Sequence, residues 1–200
     1  MYRFYLAAVD PLPGALLLIP LYWILNKVYF RNAGKSILYC LFSCYIAVVY
    51  VLVGLPNITY VRLELNLNLV PLVGMIGDWK NSILNVLLFI PLGMLLPLLW
   101  HTFRAAKPTV LFGFGMSLAI ELLQFLTYRA TDVNDLITNT FGTFLGFLCT
   151  RFLLQKFSRL GHMINEDHAS DLAIVLPAVL LLMFFVYPFV SSALWDFILS

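Results

Sequence analysis

The chain has 200 residues, 62% of them hydrophobic and only 11% charged, with a formal net charge of +2 and a mean hydropathy of +0.94. A soluble domain carries about 25% charged residues, so this composition excludes one and assigns the long apolar blocks to a membrane. A balance of +2 also argues against nucleic acid as a partner and against a polybasic membrane-surface patch.

A helix needs about 20 apolar residues to cross the hydrocarbon layer. Six stretches meet that length, at about 11–29, 37–56, 82–100, 109–127, 135–154 and 171–190. The first follows no strong basic stretch, and no small-residue cleavage pattern comes after it, so it reads as an uncleaved span and not a signal peptide. Cys40 and Cys44 lie one helical turn apart in the second span and Cys149 lies in the fifth. No Cys-x-x-Cys pair occurs, and the three read as apolar packing residues. Between the second and third spans, "VRLELNLNL" (61–69) alternates apolar and polar side chains, the period of a half-buried extended strand. Its edges need a partner, either the mouth of the helices or another chain; an ordinary interfacial loop is the rival reading.

The loops after spans one, three and five hold Lys27, Arg31, Lys35, Arg104, Lys107, Arg151, Lys156 and Arg159, against Arg3, Arg62, Lys80 and Arg129 on the other side. Excess Lys and Arg marks cytoplasmic loops, so both termini, the 61–69 segment and the loop after span four are expected outside. His101, His162 and His168 then fall on the cytoplasmic side, away from the acids, which argues against a histidine-containing zinc site. The expected fold is an all-α, polytopic transmembrane helical bundle of about six spans with a short extended outward-facing segment near 61–69. It forms a single integral membrane domain over 1–200, located in the cell membrane.

The polar residues inside the spans follow helical spacing. Asp132, Asp135, Asn139, Gly142 and Gly146 recur at intervals of 3, 4, 3 and 4, and Gly113, Ser117, Glu121 and Gln124 make a second stripe. Asn81 and Asn85 stand one turn apart at the start of the third span. Small residues on two stripes let backbones approach closely. Glu121 lies about 9 Å inside the outer end of its span at 1.5 Å per residue, where an acid costs about 2.5–3.5 kcal/mol. Arg129 is positioned to reach back to it. The structural alternatives are specific: Thr131 or Asp132 as a helix N-cap, Asp135 as a favourable charge at a helix N-terminus, and Asn85 and Gln124 as interhelical hydrogen-bonding residues.

At these residues the chain resembles the VanZ-like family of bacterial membrane proteins. The resemblance rests on "LNLVPL" (67–72), on Asn85, Phe89, Pro91 and Gly93, on Ser117, Glu121 and Gln124, and on Arg129, Asp132, Asp135, Asn139 and Gly142. The recognisable core is about 67–154, and the span at about 171–190 is an addition to it. The family takes its name from a protein that raises resistance to the glycopeptide teicoplanin, so the resemblance implies a cell-envelope role and supports the polar residues as a unit. It supplies no reaction.

Three functions are compatible with these residues. An enzyme acting on an outer-leaflet lipid or lipid-linked cell-wall precursor would use Glu121, Asp132 and Asp135 as its catalytic acids. Asn81, Asn85, Ser117, Gln124, Arg129 and Asn139 would bind substrate, Arg129 holding a phosphate or carboxylate. Asp132 and Asp135 are the only candidates for a divalent cation such as Mg²⁺ or Ca²⁺. A non-catalytic membrane scaffold, or a small transporter or lipid-moving protein, are the alternatives. No internal repeat of the transporter kind stands out.

Overall fold

The computed structural model describes residues 12–63, 67–68, 79–127, 131–156 and 169–199. Nearly all of them are helical, as the sequence predicts. The helices are α1 (Leu12–Leu25), continued by a π-helical turn (Asn26–Phe30), α2 (Ala33–Leu52), α3 (Trp79–Leu99), α4 (Ala106–Gln124), α5 (Val133–Lys156), α6 (Ala169–Phe185) and α7 (Tyr187–Leu199). A 3₁₀ turn, His101–Arg104, links α3 to α4. Two short strands, β1 (Leu67–Asn68) and β2 (Thr131–Asp132), complete the described elements. Among the described residues five helices are long and apolar enough to cross a membrane, or six if α6 and α7 form one broken span.

That last pair departs from the single span expected at 171–190. The helix bends by 50° between Phe185 and Tyr187. Pro188 explains the break: it has no N–H for the Phe184 carbonyl, and its ring would collide with that carbonyl in a continuous helix. The Phe184 oxygen instead accepts from the Ile58 amide at 3.1 Å.

The described residues form two compact units, one of 1–61 with 170–200 and one of 62–169. In the first, Leu18, Phe42, Ile46, Val175, Val179 and Met183 make a dry core. Several of its buried polar groups are paired. The Tyr39 hydroxyl donates to Asp171 Oδ2 at 2.9 Å, the Ser36 hydroxyl donates to the Tyr22 carbonyl at 3.1 Å, and the Tyr22 and Ser43 hydroxyls bond at 2.5 Å. Asn32 starts α2 as an N-cap, its side-chain oxygen accepting from the Lys35 amide at 3.1 Å.

The second unit is built on α3, α4 and α5, and small residues set its geometry. A Cβ added to Gly142 would run into the Val86 carbonyl, and one added to Gly146 into the Ile90 carbonyl. The Thr150 hydroxyl donates to the Met94 carbonyl at 3.1 Å. Val86–Gly142, Ile90–Gly146 and Met94–Thr150 are each 56 residues apart, so α3 and α5 run parallel in one register at backbone contact. With no side chain between them, the carbonyls of α3 face the Cα–H groups of α5, a weak but recurrent helix–helix interaction. Against α4 the sense reverses: Gly113 meets Thr143, and four residues further along α4, Ser117 meets Asn139, four residues earlier on α5. Thus α4 is antiparallel to α5. These pairs are the close approach that the two stripes predict.

The cysteine reading needs one correction. Cys40 and Cys44 are half-buried, but Cys149 is exposed on α5. Its apolar surroundings are on the outside of the helix, where a spanning segment meets lipid tails.

Candidate functional site

The polar residues gather where α4 ends and α5 begins. The α4 helix stops at Gln124, and 125–127 continue as tight turns closed by Leu126 N–H to the Leu123 carbonyl and Thr127 N–H to the Gln124 carbonyl, both 3.0 Å. Glu121 therefore stands three residues from the helix end, about 4.5 Å at 1.5 Å per residue, closer to the mouth than the 9 Å expected from hydropathy. The hydropathy window ran to 127 because Phe125 and Leu126 are as apolar as the helix itself.

Glu121 is only 4% exposed. Its Oε2 accepts from the backbone N–H of Asp132 at 3.0 Å. Asp132 in turn uses its side chain locally: Oδ1 accepts from the Asn134 N–H at 2.8 Å, the N-cap bond that starts α5. Of the two candidate N-caps, Asp132 forms the bond. Its neighbour Asp135 lies half-buried in the first turn of α5, where the helix dipole favours negative charge.

One turn deeper, Asn139 Nδ2 donates to Ser117 Oγ at 3.0 Å. Ser117 is fully buried and Asn139 is 4% exposed. The Asn139 Oδ1 atom is also buried and has no hydrogen-bond partner among the described residues. Such an atom costs about 1–3 kcal/mol unless something donates to it. Gln124 is buried at the end of α4, two turns from Ser117 and on the mouth side of Glu121.

The remaining candidates divide. In the parallel register of α3 and α5, Asn81 and Asn85 are level with Ile137 and Phe141, at the depth of the Ser117–Asn139 pair. Asn81 is exposed and Asn85 half-buried. Arg129 lies outside the described residues, as does any ion pair it makes. Among the described residues no group of three His, Cys, Asp or Glu side chains gathers as a metal-binding cluster.

The extended segment finds its partner within the chain. Leu67 and Asn68 pair in parallel with Thr131 and Asp132, Leu67 opposite Thr131 and Asn68 opposite Asp132. Before them, the Arg62 amide donates to the Leu126 carbonyl at 3.0 Å. The segment thus lies along the mouth of α4 and α5, the first of the two partners expected for it. Residues 64–66 and 69 lie outside the described set.

Sequence spacing missed several buried polar side chains. Thr138, Thr143 and Thr150 are buried on α5, and the hydroxyls of Thr138 and Thr143 donate back to the carbonyls of Asn134 and Asn139, both at 3.0 Å. Thr143 fills the space that the missing side chain of Gly113 leaves. Its position four residues after Asn139, on the stripe that already held Asn139 and Gly146, was the available signal.

The second unit is a polytopic helical membrane structure in which a carboxylate and three side-chain amides are buried at one end of tightly packed spans. The comparisons with known proteins then identify it. A VanZ/LLP1 family model matches residues 36–155, and the chain belongs to that family. The match begins within α2, well before the 67–154 core legible from motifs. The chain is 32% identical over 123 residues to Protein VanZ of Enterococcus faecium, covering 61% of this chain and 71% of that protein. No solved structure matches it.

Proposed function

We propose that this VanZ-family membrane protein receives the polar head of an outer-leaflet lipid or lipid-linked cell-wall precursor at the mouth of α4 and α5. The observation that carries the reading is Glu121. It is a buried carboxylate held by the Asp132 amide, and one turn deeper on α4 Ser117 bonds Asn139, whose side-chain oxygen has no partner among the described residues. Acids inside spans are rare and commonly mark a substrate path. A hydroxyl or amine on the incoming head would supply the donor that the Asn139 oxygen lacks.

If the protein is an enzyme, Glu121 is the general acid or base. Asp132 is then a positioning residue, because its side chain starts α5 while its N–H orients Glu121. Asp135, with Asp132, is the place a divalent cation would be held, its sphere completed by carbonyl and water oxygens. Arg129 is kept in the proposal as the residue that meets a phosphate or carboxylate. The link to teicoplanin is an expectation from the family name and part of the same proposal.

The test compares Glu121→Gln, Asp132→Asn and Asp135→Asn at equal membrane abundance, with teicoplanin susceptibility and the pool of lipid-linked precursors measured in cells with and without each variant. Chemistry at Glu121 predicts loss of effect in Glu121→Gln and a nearly intact Asp132→Asn, because Asn caps a helix about as well as Asp. Full activity of all three variants would end both the acid–base and the cation readings. It would leave the non-catalytic scaffold, for which Asn139→Leu should still be severe.

A further inference from the structure

At the other end of the second unit, a cavity of about 200 Å³ lies between α3, the 3₁₀ turn and α5. Pro97, Arg104, Phe147, Arg151, Leu154 and Gln155 line it. Phe147, Arg151, Leu154 and Gln155 share one face of α5 at spacings of 4, 3 and 1. The turn carrying Arg104 is fixed from within: the buried Thr109 hydroxyl donates to the Phe103 carbonyl at 2.6 Å and to the Ala105 carbonyl at 3.1 Å. The Phe103 ring packs edge-on against Trp100 and Phe112. Two guanidinium-bearing helix segments are therefore held on either side of one opening.

The described carboxylates of this unit, Glu121, Asp132 and Asp135, all belong to the opposite end. Between Asp135 and Arg151 α5 rises about 24 Å at 1.5 Å per residue. The positive lining is thus not there to neutralise the acid cluster. Within the cavity the chemistry is graded. Pro97 and Phe147 are buried, Leu154 is half-buried, and Arg104, Arg151 and Gln155 are exposed at the rim. On the same helix Leu148 and Phe152 are exposed apolar side chains.

We propose that this cavity is a phosphate site and that the phosphate belongs to an anionic phospholipid. Arg104 and Arg151 grip the oxygens in the forked geometry that suits phosphate, and the Gln155 amide donates beside them. The apolar wall of Pro97, Phe147 and Leu154 meets the glycerol and first methylenes. A volume below the roughly 300–1,000 Å³ of a drug-sized pocket fits one headgroup and leaves the acyl chains on the Leu148 and Phe152 surface. Basic pockets between spanning helices are a recurrent way of holding anionic headgroups. This site is separate from the Glu121 mouth and stands whether or not that reading holds.

The test uses the full chain purified in a neutral detergent, with binding read as retained lipid by native mass spectrometry and as ligand-dependent thermal stabilisation. The probes are phosphatidylglycerol, phosphatidylcholine and inorganic phosphate. Phosphatidylglycerol should be retained and should stabilise the protein, with the other two at least about tenfold weaker, a difference of about 1.4 kcal/mol. Arg104→Gln with Arg151→Gln should weaken phosphatidylglycerol at least about tenfold on the same conversion. Lys107→Gln with Lys156→Gln, an equal loss of charge at residues that do not line the cavity, should not. Arg151→Lys, which keeps the charge and loses the fork, should fall between; it also guards against misfolding of the double variant. Equal binding by the Arg104/Arg151 variant and the parent would overturn the proposal. So would an equal loss in the Lys107/Lys156 variant, which would make the effect one of overall charge. Inorganic phosphate bound as tightly as phosphatidylglycerol would overturn the lipid assignment.

Discussion

A glycine contact between α3 and α5 gives the sharpest test, Gly146→Ala. The added methyl would meet the Ile90 carbonyl, with the Gly93 Cα and carbonyl carbon both 3.0 Å away. All three are backbone atoms of α3, so no side chain can swing clear, and the two helices must separate. Opening the interface by ~0.5–1 Å removes about a quarter to a half of each dispersion contact across it. That interface runs unbroken through Val86–Gly142, Ile90–Gly146 and Met94–Thr150, so the loss is shared along the helix pair. Overpacking of this kind costs about 1–3 kcal/mol. The intrinsic helix preference of Ala over Gly returns about 1 kcal/mol, leaving a net destabilisation of up to about 2 kcal/mol. Gly115→Ala is the control, because a Cβ there has nothing within 4 Å; it should be neutral or slightly stabilising. The double variant Gly142→Ala with Gly146→Ala should cost less than the sum of its parts, since helices already parted for one methyl accommodate the second. Unfolding in mixed micelles of increasing dodecyl sulfate content, followed by tryptophan fluorescence, measures the parent and these variants, with Gly142→Ala alone among them. If Gly146→Ala unfolds together with Gly115→Ala, the parallel backbone contact of α3 and α5 is wrong.

Two further outcomes follow from particular contacts. Pro188→Ala restores an N–H that competes with the Ile58 amide for the Phe184 carbonyl, so the 50° break between α6 and α7 should relax towards one straight span. Electron-spin distances between labels at Leu181 and Phe197 would lengthen, and an unchanged distance would mean that something other than the proline sets the bend. In a background without Cys40, Cys44 and Cys149, Leu67→Cys with Thr131→Cys should form a disulfide readily on mild oxidation. Directly opposed strand residues lie within the 4.4–6.8 Å Cα separation that such a bond needs. Failure to cross-link, with Leu67→Cys and Ile137→Cys as a distant-pair comparison, would place the extended segment elsewhere.

The order of spans, and the side of each helix that carries polar residues, are local properties, and the chain states them by itself. Hydropathy over about 20 residues needs no neighbour to be read, and the 3–4 spacing of Ser117, Glu121 and Gln124, or of Asp135, Asn139 and Gly142, follows from helix geometry alone. Even the rivalry over Asp132 could be written down beforehand, though not decided. The cap bond to Asn134 and the amide donated to Glu121 belong to the same residue, so capping and site construction turned out to be compatible.

What only the tertiary structure decided are the pairings between distant residues. Nothing in a one-dimensional pattern says that α3 and α5 run at an offset of 56, since that number depends on which glycine meets which carbonyl. The partner of 61–69 was equally hidden, because alternation marks a strand but carries no information about the edge it joins. The Arg104–Arg151 cavity was invisible for the same reason: charge counting placed both arginines on one side of the membrane, and only packing brought Pro97, Phe147 and Leu154 beneath them. Sequence periodicity determines which face a residue occupies. Contact between faces is set by close packing, where one methyl group changes the answer.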